Sequence, residues 1–154
     1  MSNNQRYQDA MAWALANAQL AAEHGDVPVG AVILDHRGQV IGEGWNKREL
    51  DSDPTAHAEI LALRQAGEFK GKWNLSDCIM VVTLEPCTMC AGAIVNSRID
   101  TLVFGAWDPK AGACGSVRDV VRDARLNHKV EVIAGVREEE ATAQLKDFFA
   151  SKRD

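Results

Sequence analysis

Between Tyr7 and His24 the apolar residues Met11, Leu15, Ala18 and Ala22 recur at helical spacing, and Gly25 follows. A first helix is predicted there. Two segments rich in β-branched residues, VPVGAVIL (27–34) and QVIGEGWN (39–46), flank the polar, glycine-containing DHRG and read as a hairpin. SDPTAHAEILALRQAG then offers Ser, Asp and Thr ahead of an alanine- and leucine-rich run that closes on Gly67. A second helix is expected to start near Pro54 or Thr55, with His57 and Glu59 in its first turn.

CIMVVTL (78–84) is a short continuous apolar run suited to a buried strand. EPCTMCAGAIVNSRI (85–99) follows it as a helix, with Pro86 near the first position and Cys87 and Cys90 in the opening turn. DTLVFGAWD (100–108) reads as a strand, KAGACGS (110–116) as a glycine-rich loop, VRDVVRDARL (117–126) as a short helix or irregular segment, and KVEVIAG (129–135) as the last strand. REEEATAQLKDFFASKR (137–153) has acidic residues first and basic ones last, as a helix dipole prefers. The order αββαβαβ(α)βα predicts a three-layer α/β/α sandwich around a mixed five-stranded sheet, folded as one domain over 1–154.

A length of 154 residues, 46% of them hydrophobic and 25% charged, describes an ordinary globular chain that needs no covalent staple. The opening MSNNQRYQDA does not read as a signal peptide, and no apolar run is long enough to span a membrane. A cytoplasmic location is the default. There thiols stay reduced, so Cys78, Cys87, Cys90 and Cys114 are not expected to pair as disulfides, and the close pair Cys87/Cys90 points to metal or redox use. A net charge of −5 argues mildly against a nucleic-acid partner. Lys110, Arg118, Arg122, Arg125 and Lys129 against Asp119 and Asp123 nevertheless allow one local basic surface, or simply a solvated charged face.

Zinc favours thiolate and imidazole ligands, and a catalytic site keeps its fourth position for water. His57, Cys87 and Cys90 make such a set, on two segments that both begin helices, where free N–H groups and the dipole stabilise thiolates. Residues two apart on a helix point to nearly opposite sides, so Glu59 is not a companion ligand to His57. At a helix end its carboxylate can instead lean over the bound water as a general acid/base. Any one of these residues alone would be unremarkable. Cys78 and Cys114 read as inert packing residues, although either would close a structural Cys3His site if it were a fourth ligand.

H-x-E, then 26 residues (60–85), then P-C-x-x-C is the spacing of the zinc deaminases, matched here by TAHAEI and LEPCTMCAGA. With VPVGAVI, GWN before DPTAHAEILALR, NSRI, VFGAWDPKAGACGS, NHKVEV and the late DFF, nearly the whole chain resembles the tRNA adenosine deaminases of the cytidine/deoxycytidylate deaminase superfamily. The resemblance implies one Zn2+ per chain held by His57, Cys87 and Cys90, and water activated there that attacks C6 of the wobble adenine in a tRNA anticodon stem-loop. Glu59 would carry the proton, and the product would be inosine. It further implies that Asn46 contacts the base or its ribose, that Asp108 and Lys110 lie in the loop shaping the RNA site, and that Phe149 offers an apolar surface near flanking nucleotides. A homodimer is implied too, with Ala91, Gly92 and Ala93 permitting close helix packing. Trp107 departs from the variable, often polar or basic residue of that family; it either stacks on a base or covers the core. The motif itself leaves open a deaminase of a small base such as guanine or cytosine, because pocket shape sets the substrate. A noncatalytic RNA-binding domain with closed zinc is a third reading, which leaves Glu59 unused.

Overall fold

The computed structural model describes residues 3–152. The elements run α1 (Asn3–Glu23), β1 (Gly30–Leu34), β2 (Val40–Trp45), α2 (Arg48–Asp51), α3 (Ala58–Lys70), β3 (Ile79–Leu84), α4 (Thr88–Asn96), β4 (Thr101–Ala106), β5 (Glu131–Ile133) and α5 (Glu138–Lys152). One five-stranded sheet has the order β2-β1-β3-β4-β5. β1 is antiparallel to β2 and β3, whereas β3, β4 and β5 are mutually parallel, so the sheet is mixed as expected.

Strand periodicity divides the core in two. Ala31, Ile33, Met80, Val82, Leu102 and Phe104 face the layer built on α3 and α4. Their neighbours Val32, Leu34, Val81 and Val103 face the other side, where they meet Tyr7, Ala10, Met11 and Ala14 of α1. β1 (GAVIL) and β4 (TLVFGA) are buried along their whole length, so neither shows an alternation of apolar and polar residues. Together the two helical layers and the sheet form the predicted three-layer sandwich.

Several boundaries differ from the sequence expectation. α1 begins at Asn3, ahead of Tyr7, and its buried stripe is Tyr7, Ala10, Met11, Ala14, Ala18 and Ala21; Leu15 and Ala22 are half-buried. α3 begins four residues later than Pro54, and His57 is its N-cap with extended backbone (φ −76°, ψ 152°). Gly67 does not end α3: the helix continues to Lys70, and Gly71 supplies the left-handed cap at φ 68°, with Lys72 N–H donating back to the Gly67 carbonyl. Pro86 lies before α4 and not in it, because Cys87 (φ −75°, ψ 178°) is the N-cap, and α4 stops at Asn96, short of Ile99. The strands are shorter than predicted, most of all β5, and 117–126 is irregular, with one bridge between Cys114 and Asp119. The short α2 was not predicted. The expected end of α5 at Arg153 lies outside the described residues.

One close approach positions the site. A Cβ on Gly44 of β2 would lie 2.5 Å from the Ala58 carbonyl oxygen and 2.9 Å from Leu61 Cβ. Glycine there lets the first turn of α3 seat directly on the strand, next to His57 and Glu59.

Candidate metal centre and substrate cavity

The site lies where parallel β3 and β4 end, the usual place for ligands in an open α/β sheet. His57 and Cys87 both occupy helix N-cap positions, and neither uses its side chain to cap. The two side chains are thereby free to converge, and the positive ends of α3 and α4 face the same point. His57 Nδ1 lies 3.7 Å from Cys87 Sγ and 3.5 Å from Cys90 Sγ. All three ligand atoms fall within 4.8 Å of one another, and among the described residues no other group of three could hold a metal ion.

The donors fit zinc. A tetrahedral ion with bonds of about 2.3 Å to sulfur and about 2.0 Å to nitrogen holds the N and S atoms about 3.5 Å apart. The observed separations match that spacing without rearrangement. Cys87 is drawn down to about 3 by the hydrogen bond from the Cys90 thiol, with His57 adding to the effect. Cys90 is raised by donating that bond and by burial, so the two sulfurs share one negative charge between them. A dication is what stabilises a second.

Glu59 is 4% exposed, and its carboxyl meets the Cys90 thiol. Burial pushes it up to about 7, helped by the nearby Cys87 charge. The puzzle of two functional residues two apart is resolved by the boundary: His57 stands outside the helix and Glu59 inside it, so the helical rotation that would separate them does not apply in full.

The cavity over this group has a volume of about 210 Å³, and Asn46, Arg48, Glu85, Asp108 and Ala111 also line it. The structure therefore places Asn46 and Asp108 in the same cavity as His57 and Cys87. Asn46 Nδ2 donates to Asp26 Oδ1 and the Val27 carbonyl, both at 3.2 Å, and Oδ1 accepts from Arg48 N–H at 3.3 Å. Asp108 Oδ1 accepts from the N–H groups of Lys110 (3.0 Å) and Ala111 (3.1 Å). Lys110 and Phe149 do not line this cavity. With Trp107, Lys146 and Ala106 they border a neighbouring cleft of about 570 Å³ between the loop after β4 and α5. Trp107 covers the core with one edge, which packs on buried Phe104 (4.9 Å, 86°), while 42% of the residue stays exposed.

Cys78 and Cys114, expected to be inert, do stand apart from the metal-ligand group. Cys78 and Cys114 are buried, and burial pushes the Cys78 thiol up to about 12 and the Cys114 thiol up as well. His24 stacks on Trp45, His36 pairs with Asp77, and His128 Nε2 contacts the Ile99 carbonyl oxygen. In the basic segment Arg122 pairs with Asp119 and Arg125 with Asp123, so its excess positive charge rests on Lys110, Arg118 and Lys129.

Three residues that shape the site were missed. Asp26, Arg48 and Glu85 were not singled out, although Glu85 stands immediately before the Pro-Cys pair. Glu85 is buried, and its Oε1 accepts Asp108 N–H (2.9 Å) while Oε2 accepts the N–H groups of Cys114 and Ser116 (3.0 Å each). The whole Asp108–Ser116 loop is wrapped around one carboxylate. Asp26 gathers Asn46, Arg48 and α2 in the same way from the opposite wall.

The sequence pattern of the cytidine and deoxycytidylate deaminase zinc-binding region matches residues 4–106. The chain belongs to this zinc deaminase family. A tRNA-specific adenosine deaminase of Haemophilus influenzae is 49% identical over 144 residues, covering 94% of this chain and 83% of that protein. A structure from a study of A-to-I editing by tRNA:A34 deaminases superposes with a TM-score of 0.85 at 41% identity, over 89% of this chain and 99% of the other. A guanine deaminase from Nitrosomonas europaea shares the deaminase fold more distantly, with a TM-score of 0.78 and 26% identity over 93% of this chain and 84% of the other.

Proposed function

We propose that this deaminase hydrolyses the 6-amino group of adenosine at the wobble position of a tRNA anticodon stem-loop, releasing ammonia and leaving inosine. The observation that carries the reading is the placement of His57, Cys87 and Glu59 in the wall of a cavity of about 210 Å³, with the Cys90 ligand atom buried behind them within 4.8 Å of those of His57 and Cys87. That volume lies below the roughly 300–1,000 Å³ of sites that engulf a drug-sized ligand. It suits one heterocycle lowered in from a strand whose sugar and phosphates stay outside.

His57 Nδ1 and the sulfurs of Cys87 and Cys90 would hold one zinc ion, which when bound acts as a Lewis acid and makes water nucleophilic near neutral pH. Glu59 accepts a proton from the attacking water and donates it to the ring nitrogen, then takes the second proton from the new C6 hydroxyl and delivers it to the amine, which departs as ammonia as the C6 carbonyl of inosine forms. Asn46 retains one lone pair on Oδ1 for the base or ribose, since its amide hydrogens are committed to Asp26 and Val27. Lys110, Phe149 and Trp107 supply charge and flat apolar surface to the flanking nucleotides. A cytoplasmic location goes with this role, because the ligand thiols must stay reduced.

A homodimer is part of the same reading. Trp73 is 65% and Phe69 61% exposed, and a shallow hollow lined by Ile60, Leu63, Trp73 and Ala93 joins α3 to α4. Ala91 itself is buried in its own core, so the close contact would fall on Gly92 and Ala93. Light scattering should give twice the chain mass.

A second reading, deamination of free guanine, is favoured by the small cavity and the Nitrosomonas likeness. The purified zinc-loaded protein is incubated with an anticodon stem-loop carrying the wobble adenine and, separately, with guanine, adenosine and cytidine. Inosine in the stem-loop alone is the expected result. Turnover of a free base without any in RNA would overturn the proposal.

A further inference from the structure

Arg48 opens the short α2 and lines the substrate cavity, as Asp108 does. Among the described residues lining that cavity it is the one Arg or Lys, and the acidic side chains there are those of Glu59, Glu85 and Asp108. A polyanionic strand approaching three carboxylates, on a chain with net charge −5, needs a cation at the point where its backbone passes.

The bonding of Arg48 is incomplete in a way that points outward. Its NH2 group donates to Asp26 Oδ1 at 3.1 Å, yet its Nε is buried and has no acceptor. Buried donors are almost always satisfied, so an Nε–H without a protein acceptor on a residue that lines a cavity is a donor that a ligand there can satisfy. Neutralising Asp26 does not account for this geometry. Asp26, 3% exposed, also accepts from the N–H groups of Val27 and Glu49 and from Asn46 Nδ2, while Arg48 gives it a single donor and leaves 41% of its own side chain exposed. The carboxylate holds the fork in one orientation, and the fork's other N–H groups stay free for an oxyanion.

We propose that Arg48 is a substrate-binding residue whose guanidinium, aimed by Asp26, takes a phosphodiester oxygen of the nucleotide that lowers its base into the cavity. This rests on the RNA reading above. A phosphate contact has a signature that a contact to the base lacks: each one contributes about 0.7 to the slope of log affinity against log salt for a single strand.

The test uses the zinc-loaded protein and the adenine-bearing anticodon stem-loop, with kinetics from about 50 to 200 mM KCl, the range over which counterion release is felt. Arg48→Met is expected to raise KM about tenfold, with a much smaller effect on kcat, as loss of uniform binding requires. Its salt slope should be shallower than wild type by about 0.7. Arg48→Gln, which keeps a donor for Asp26, carries the same slope prediction should Arg48→Met fail to unfold cooperatively. A wild-type slope in both variants overturns the proposal, and a raised KM with the wild-type slope does so too, because it moves the contact to base or ribose. Wild-type protein that leaves the stem-loop adenine untouched removes the RNA reading itself, an outcome distinct from failure of the Arg48 variants alone.

Discussion

Removing the Glu85 carboxylate should unfasten the loop that forms one wall of the substrate cavity. In Glu85→Ala the N–H groups of Asp108, Cys114 and Ser116 lose their acceptor together, although each lay 2.9–3.0 Å from it. Bonds to a charged acceptor contribute about 1.5–3 kcal/mol each. The simple sum overstates the cost, because a surface loop can open and let water reach its amides. An overall loss of about 3–5 kcal/mol is expected, the usual result of breaking a buried charged network. At about 2–4 °C per kcal/mol for a chain of this size, Tm should fall by about 6–20 °C.

Glu85→Gln keeps the volume but turns an amide NH2 toward an N–H donor, so it should cost less, about 2–3 kcal/mol. Burial opposes ionisation of Glu85, but the N–H groups of Asp108, Ser116 and Cys114 and the Ser116 side chain outweigh it and hold the carboxyl below its ordinary value. The stability it contributes is therefore complete above the ordinary carboxyl pKa and is lost as pH falls through the folded one. Thermal unfolding gives the magnitude, and hydrogen exchange at the Asp108, Cys114 and Ser116 amides gives the location. An alanine variant that unfolds within about 1 kcal/mol of wild type, with those amides still protected, would refute the reasoning.

Glu59→Gln should retain one zinc per chain by elemental analysis yet lose about 10²–10⁴ in turnover, whereas Cys90→Ser should lose the metal; full activity in the first variant would remove the proton-transfer role. Asp26 is disfavoured as an anion by burial, but the Glu49 and Val27 N–H groups and Arg48 hold its carboxyl below the ordinary value, so its contribution to stability disappears as pH falls through that lowered pKa. Asp26→Asn should flatten the acid limb of stability measured by urea unfolding from about pH 5 to 2, and an unchanged limb would count against it. Gly44→Ala should destabilise by about 1–3 kcal/mol, since its Cβ would lie 2.5 Å from the Ala58 carbonyl oxygen, and should weaken zinc retention against a chelator because His57 adjoins the displaced turn. Unaltered Tm and zinc retention would show that α3 can shift freely.

What was legible in the sequence was what repeats or stays local. The apolar segments 27–34 and 78–84 do hold the strands β1 and β3, and the two ligand segments do open helices after a strand or turn. Boundaries were less legible because two residues competed for the same role: Gly67 and Gly71 both look like helix ends, and only the second adopts the left-handed backbone that closes α3. α2 was invisible for a different reason. Four residues carry no helical period, and its Glu49 N–H is held by Asp26 Oδ2 from 23 positions away. Glu85 escaped for the same cause, since its partners are backbone amides 23 to 31 positions downstream and amides leave no trace in side-chain pattern. Both walls of the cavity are thus held by a buried carboxylate gathering distant N–H groups, and the ligand motif is silent about either. That separation agrees with one motif serving deaminases of different bases: in the proposed reading His57, Glu59, Cys87 and Cys90 would supply the chemistry, whereas the cavity walls are held in place by Asp26 and Glu85.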